Sequence, residues 1–160
     1  MKRPFALVVL IAAAVLAAFA GPAAAKGPSK VTITGPGLTH PIVLTGNPES
    51  DGPGTPFESL VERSGWFGLV FRQSPDPTSP RRPAGALGPR YVAAYVVPMG
   101  TAPAGTIRQE LYPFAAAGAL AHVAAGQRIF GGDTHGGWYR GGLTLKRALV
   151  AVGIPGRRLP

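Results

Sequence analysis

Two extended stretches between Arg90 and Phe114 constrain the fold of this chain more than any other part of its sequence. The stretch 90–98 is rich in Tyr and Val, and the stretch 106–114 alternates apolar with polar residues. A link rich in Gly, Pro and Thr (99–105) joins them, which is typical of two antiparallel strands. We expect this link to form an open loop, because it is longer than the turns of tight hairpins.

Side chains alternate between the two faces of a strand, so each stretch divides into two sets. Both sets of the first stretch are apolar, which predicts a central strand covered on both sides. In the second stretch, Arg108, Glu110 and Tyr112 share one face and form a polar stripe with an aromatic end. Two interpretations of the stripe stay open. If the stripe is solvated, Arg108 and Glu110 form a weak surface ion pair. If a cleft closes over the stripe, the same two residues form part of a ligand site.

A hairpin and a short helix are predicted before these stretches. The runs 30–35 and 41–46 are rich in β-branched residues and are separated by turn-forming Pro and Gly, which favours an N-terminal hairpin. Thr55 at the N-cap, Pro56 at the first helical position and Glu58 two residues later form a capping box that begins a helix. A glycine at position 65 can take the left-handed conformation that ends such a helix.

The remaining segments carry weaker patterns. The segment 66–71 is apolar except for one glycine and predicts a buried strand; continuation of the preceding helix is the alternative, which the nearby glycines disfavour. Short strands are expected at 120–123 and 126–130, followed by a flexible glycine-rich loop at 131–137. Apolar residues recurring at helical spacing predict a second helix over 143–152.

These elements predict one α+β domain over residues 26–156. Its core would be an antiparallel sheet of about five strands with two short helices on one face. The segment 74–89 contains five prolines and cannot hold a ladder of backbone hydrogen bonds, so we expect an exposed, flexible loop there. A short basic tail (157–160) follows the domain.

The N-terminus has the three parts of a secretory signal in order. A basic start at Lys2 and Arg3 precedes an apolar run of 15 residues at 6–20, and small residues follow up to Ala25. We therefore expect a signal-peptide helix within residues 1–25 and cleavage after Ala25, which predicts a secreted protein. An uncleaved membrane anchor is the weaker alternative, because a span needs roughly 20 apolar residues.

Charge and cysteine content limit the classes of partner and of chemistry. The chain has 16 Lys and Arg against 7 Asp and Glu, a formal net charge of +9 that becomes +7 without Lys2 and Arg3. Such a charge favours an anionic envelope polymer or lipid surface as the partner. Nucleic acid is not expected, because the protein is predicted to be exported and no run interleaves basic with aromatic residues. The absence of cysteine excludes disulfides and thiolate sites.

No motif of catalysis stands out. His40, His122 and His135 are the candidate general bases, and each is interpreted as an ordinary surface or half-buried histidine. Asp133 and His135 lie two apart in a glycine-rich loop, but two ligands do not make a metal site. No nucleophile elbow, P-loop or dinucleotide fingerprint occurs. We therefore predict no catalytic residue, no metal and no cofactor.

Aromatic and charged residues from neighbouring segments remain as candidates for a binding surface. They are Arg108, Glu110, Tyr112, Arg128, Trp138 and Arg140. Tyr, Trp and Arg dominate the energetics of many interfaces, which is why this set is singled out. The same residue types also fill cores and cover their edges, and that second interpretation is favoured.

Several short segments resemble a known group of proteins. They are 87–91 (LGPRY), 107–115 (IRQELYPFA), 126–127 (GQ) and 136–139 (GGWY), followed by the closing helix. They are similar to segments of small exported proteins of high-GC actinobacteria that have no assigned activity. The resemblance covers about the C-terminal half of the chain after the predicted signal. It implies export and a shared fold, and it transfers no catalytic residue.

The expected function follows from export, positive charge and the lack of a catalytic motif. We expect an exported, non-enzymatic protein that associates with the anionic cell envelope. A small secreted hydrolase whose site is assembled only by the fold is the alternative. A subunit of an inhibitor or toxin–immunity pair is a third hypothesis.

Overall fold

The computed structural model of the protein describes residues 27–46 and 54–157. The predicted signal peptide, with its helix and its cleavage point, lies outside the described residues, as does all but the first residue of the predicted basic tail. Within the described ranges, no helix combines the length and the apolar character needed to cross a membrane.

Strands outnumber helices in the described part of the chain. The strands are β1 (Lys30–Thr34), β2 (Ile42–Thr45), β3 (Tyr91–Met99), β4 (Ala102–Tyr112), β5 (Leu120–Val123), β6 (Arg128–Ile129), β7 (Gly132–Asp133) and β8 (Gly137–Arg140). The helices are α1 (Pro56–Arg63), α2 (Trp66–Val70) and α3 (Gly142–Ala151).

Six of the strands form one antiparallel sheet in the order β2-β1-β3-β4-β5-β8. The strands β6 and β7 form a separate two-stranded ribbon. The predicted α+β class with an antiparallel sheet is therefore confirmed, and the predicted N-terminal hairpin is β1 and β2. The sheet has six strands where about five were expected, and three helices are described where two were expected.

The central hairpin is confirmed, but its predicted open loop is wrong. Met99 pairs with Ala102, so only Gly100 and Thr101 form the turn. Gly100 has φ of 64°, and glycine adopts this left-handed conformation without the steric cost of a side chain. The small residues after the turn join β4, and an irregularity in the register between Val97 and Met99 accommodates them.

One face of the sheet, which we call the closed face, is covered by the helices. Its side chains are alternate residues of the strands; Ile42, Leu44 and Tyr139 on the outer strands are half-buried, and the others are buried. The buried ones are Val31, Ile33, Tyr91, Ala93, Tyr95, Val97, Ile107, Gln109, Leu111, Ala121 and Val123. All of these but Gln109 belong to one core cluster with apolar side chains of α1, α2 and α3.

The opposite side of the same strands we call the open face. Its side chains are Lys30, Thr32, Val92, Ala94, Val96, Thr106, Arg108, Glu110, Tyr112, Leu120, His122, Trp138 and Arg140. On β3 the residues of this face are only half-buried, so the prediction that β3 is covered on both sides is wrong. The reason is that the three described helices join the core of the closed face, which leaves this side of β3 without a covering layer.

Helix α1 begins and ends as predicted. The Thr55 hydroxyl accepts the N–H of Glu58 at 3.2 Å, and the Glu58 carboxylate accepts the N–H of Gly54 at 3.2 Å. Gly65 then takes the left-handed conformation, with φ of 66°. It also has no room for a side chain, because a Cβ there would meet the ring of Tyr139 on β8 at 2.4 Å.

The predicted buried strand at 66–71 is wrong, because this segment forms the short helix α2. The N–H of Leu69 bonds to the carbonyl of Gly65 at 3.0 Å, which is a helical pattern. Gly65 turns the chain so that a new helical turn begins, and Trp66, Leu69 and Val70 then enter the core together. A wholly apolar segment has no polar face, so its pattern cannot distinguish a strand from a helix.

The helix α3 closely matches the predicted segment 143–152, and it buries the expected residues Leu145, Ala148 and Leu149. The predicted loop 131–137 is more ordered than expected, because it contains β7 and the first residue of β8. Backbone N–H groups of His135 and Gly136 also bond to α2 carbonyls at 3.1 and 2.7 Å. Only two residues of the predicted strand 126–130 are strand, as β6.

The segment 74–89 is mostly exposed and passes along the free edge of β8. Ser79 exchanges two backbone hydrogen bonds with Trp138, of 2.9 and 2.8 Å, so it pairs with the sheet at a single residue. Further along, Leu87 packs against the open face. The segment therefore shields part of the edge and part of the open face, as prolines and charges on exposed edges often do.

Candidate functional site

Five of the six candidate binding residues lie on the open face. Arg108, Glu110 and Tyr112 follow one another along β4, and Trp138 and Arg140 lie on β8. Arg128 is separate, on the β6–β7 ribbon, where its guanidinium lies 3.4 Å from Asp133. The fold therefore brings together most of the predicted set on one surface.

A row of side chains crosses this surface from strand to strand. Glu110 on β4 pairs with His122 on β5, which pairs with Trp138 on β8. The rings of His122 and Trp138 stack, with centroids 4.4 Å apart and planes 28° apart. Directly opposite residues on neighbouring strands lie close enough for such contacts, so the register of three strands creates the row.

Glu110 is the centre of this cluster, because its carboxylate has three side-chain partners. Arg90 donates from Nη1 at 2.8 Å, the Tyr112 hydroxyl donates at 2.9 Å, and His122 Nδ1 lies 3.1 Å away. Burial alone would raise the pKa of Glu110, but the hydrogen bonds from these partners outweigh it and lower the pKa below its ordinary value. The carboxylate is therefore held in its charged form.

The aromatic members of the cluster are covered. Tyr112 is 6% exposed and Trp138 is 9% exposed, and they form a second, small hydrophobic cluster with Leu120. Leu87 from the segment 74–89 packs on this cluster. Burial, with the hydrogen bond to Glu110, raises the pKa of Tyr112 to about 12. These rings therefore support the surface from below and do not offer a stacking platform to a ligand.

The exposed charges of the open face are mainly positive. Lys30, Arg90, Arg108 and Arg140 are exposed, and Glu110 is the carboxylate that this face contributes. Arg108 is held in place through its backbone, because the side-chain amide of Gln127 bonds to its N–H at 2.8 Å and to its carbonyl at 2.9 Å. The amide of Gln127 thus pairs with the backbone groups of Arg108 as a neighbouring strand would.

The other two histidines lie away from this cluster. His40 is exposed between β1 and β2. His135 Nε2 lies 2.8 Å from Asp76, whose pKa is lowered to about 2 by side-chain and backbone hydrogen bonds from Thr78 and by the bond to His135. Asp133 pairs with Arg128 instead, so the two residues weighed as a metal pair have different partners. Among the described residues, no group of three or more His, Asp or Glu is arranged to hold a metal ion.

Two members of the Glu110 cluster, Arg90 and His122, were not among the candidate binding residues from the sequence; His122 was considered only as a general base and interpreted as an ordinary histidine. The sequence contains an indication for each residue. Arg90 and Glu110 are both even-numbered positions on the two predicted hairpin strands, and His122 lies on a predicted short strand. To use these indications one must know the register of β3 with β4 and of β4 with β5, which the alternating pattern alone leaves open.

Comparisons of the chain with protein-family models, with curated proteins and with solved structures find no match. The geometry of the open face is thus the basis for a functional proposal. The predicted resemblance to exported actinobacterial proteins stays a prediction.

Proposed function

We propose that the chain is an exported, non-enzymatic protein that associates with the anionic cell envelope through its open face. The observation that carries this proposal is the charge of that face. This face carries four exposed cations and a single carboxylate, and Arg90 and His122 already contact that carboxylate. The remaining cations, Lys30, Arg108 and Arg140, have no carboxylate within salt-bridge distance among the described residues.

The spacing of these three cations suits an extended polymer. Lys30 on β1, Arg108 on β4 and Arg140 on β8 are each separated by two strand steps. Neighbouring strands lie about 4.8 Å apart, so the cations step across the sheet about 10 Å at a time. The register also moves them along the strands, so they form a diagonal line. A line of exposed cations along a sheet face favours a linear polyanion over a small substrate, which needs a concave site.

We therefore take an anionic wall polymer as the partner. Binding of this kind is electrostatic and is weakened by salt, because exposed charges are screened beyond about 10 Å at 0.1 M. The test is retention of the purified protein on immobilised wall polymer at low and at raised salt. A double variant, Arg108→Gln with Arg140→Gln, is expected to elute at lower salt than the parent protein.

The matched control is Arg63→Gln with Arg72→Gln, which removes the same charge from exposed positions outside the open face. It is expected to elute close to the parent. Retention that is insensitive to salt, or an equal effect of the two double variants, would contradict binding through the open face. Failure of the full chain to be exported would contradict the location and leave the binding surface to be judged separately.

A hydrolase is the second candidate, and one observation favours it. His122 has Nδ1 beside a carboxylate, an arrangement that orients the other ring nitrogen of many catalytic bases. The test is hydrolysis of a panel of simple esters by the parent, by His122→Gln and by the control His40→Gln. Activity that is lost only in His122→Gln would support this candidate over the binding protein.

A further inference from the structure

An open cavity of about 350 Å³ lies between the segment that follows β4 and the start of α3, where its wall residue Ala115 belongs to the same small hydrophobic cluster as Tyr112. Its walls include Phe114, Ala115, Gly118, Gly142, Leu143 and Lys146. The hollow is open beside Gly142, because a Cβ built there would have no atom within 4 Å. Its volume falls at the lower end of the range of small-molecule sites.

The walls of the cavity are apolar apart from one cation. Phe114 and Leu143 are the large apolar residues, and Leu143 is 62% exposed at the rim. The ammonium of Lys146 lies 5.2 Å from the centre of the Phe114 ring, so it is directed across the cavity wall. No carboxylate of residues 27–46 or 54–157 lies within salt-bridge distance of Lys146.

We propose that this cavity binds a small apolar monocarboxylate. The apolar walls favour the hydrocarbon part, and Lys146 is placed to pair with the carboxylate as a charge-assisted hydrogen bond. The volume lies at the lower end of the range of ligand sites, so a small aryl or alkyl acid suits this cavity better than a polymer does.

Charge complementarity decides between this ligand and its close relatives. A neutral alcohol of the same shape gains the apolar contacts and loses the ion pair with Lys146. An apolar cation gains the contacts with Phe114 and Leu143 but meets a like charge. The order of affinity is therefore carboxylate first, alcohol second and cation last, and this order distinguishes a built site from a hydrophobic surface alone.

The experiment uses 4-phenylbutanoate as the probe and 4-phenylbutan-1-ol as its neutral match. The full chain is expressed, and the purified protein is titrated with each probe by calorimetry. Changes in amide chemical shifts then map the residues that the probe contacts. We expect the acid to bind at least tenfold more tightly than the alcohol, because charge-assisted hydrogen bonds are roughly twice as strong as neutral ones. The shifts should concentrate at 115–119 and 142–146.

Variants on α3 supply the controls. Lys146→Gln is expected to remove the preference for the acid, whereas Arg147→Gln, the neighbouring exposed cation outside the cavity wall, is expected to keep it. Leu143→Ser should weaken acid and alcohol alike, and the exposure of Leu143 makes this change safe for folding. Equal affinity for the two probes, equal effects of the two cation variants, or the absence of binding at millimolar probe would overturn the proposal.

Discussion

The closed and open faces belong to the same strands, yet their polar side chains are in different environments. On the closed face, the side chain of Gln109 is buried, accepts the Tyr95 hydroxyl at 3.0 Å and donates to the carbonyl of Ser64 at 3.0 Å. On the open face, Glu110 carries a charge and collects three donors while it remains in contact with water. These two side chains belong to consecutive residues of β4.

The difference shows where stability and binding reside in this molecule. Burial makes a lost hydrogen bond expensive, because no water replaces the missing partner. Exposure makes a lost pair inexpensive and leaves charges free to contact a ligand. We therefore expect substitutions on the closed face to act on folding and those on the open face to act on binding.

The largest effect is expected for Gln109→Ala. This change removes the acceptor of the Tyr95 hydroxyl and the donor to the Ser64 carbonyl, both of them buried, at about 1–3 kcal/mol each, and opens a small cavity, so the loss should be about 4 kcal/mol. The matched control is Gln127→Ala, whose amide makes three hydrogen bonds to backbone groups but is accessible to water, so its loss should cost only about 1 kcal/mol. Urea unfolding of both variants measures the difference, and equal losses would break the comparison.

A second test uses two valines that are neighbours on β3. Val97 is fully buried on the closed face, and Val96 is half-buried on the open face. Removing two methyl groups should cost about 2 kcal/mol at Val97, from lost burial and the cavity left behind. The same substitution to Ala at Val96 should cost less than about 1 kcal/mol. If thermal or urea unfolding finds Val96→Ala as damaging as Val97→Ala, the open face is packed more tightly than its exposure indicates.

The features predictable from the sequence are those with local causes. The cap at Thr55, the glycine that ends α1 and the apolar stripe of α3 are all encoded within a few residues, and each was predicted. The segment beginning at Trp66 was assigned to the wrong element because it has no polar face. The tight turn at Gly100 was missed because the small residues after it carry no strand signal of their own.

The candidate site depended on information that short segments do not hold. The stripe of Arg108, Glu110 and Tyr112 could be predicted because alternation along one strand is local. The partners Arg90 and His122 come from neighbouring strands, and a shift of register by one residue would have moved them to the other face. The site was therefore predictable along β4 and unpredictable across the sheet.

Two tyrosines on the closed face sharpen the comparison further. The hydroxyl of Tyr95 is paired with Gln109, whereas the hydroxyl of Tyr91 is buried with no hydrogen-bond partner in the described part of the chain. Tyr95→Phe should cost about 1 kcal/mol, and Tyr91→Phe should be neutral or slightly stabilising, because it removes an unpaired polar atom. A loss from Tyr91→Phe as large as that from Tyr95→Phe, measured by urea unfolding, would show that the Tyr91 hydroxyl has a partner.

The smallest effects are expected from pH, and they should arise outside the closed face, whose side chains include no carboxylate. Glu110 on the open face and Asp76 in the segment 74–89 both have pKa values below the ordinary range, the latter at about 2. A carboxyl whose pKa is lower in the folded state stabilises that state above its unfolded pKa, and this contribution is lost as the pH falls. Stability should therefore decline below about pH 4.5 and continue to decline towards pH 2.

Glu110→Gln separates the two faces in this respect. The variant should be less stable than the parent at pH 7, because the charge that holds Arg90, Tyr112 and His122 is gone. The deficit should shrink as the pH falls, since the parent then loses the same charge by protonation. Gln109→Ala carries no titrating group at its site, so its deficit should persist across the whole range. Thermal unfolding between pH 2 and pH 7 measures both, and a constant deficit for Glu110→Gln would mean that packing, and not charge, holds the Glu110 cluster together.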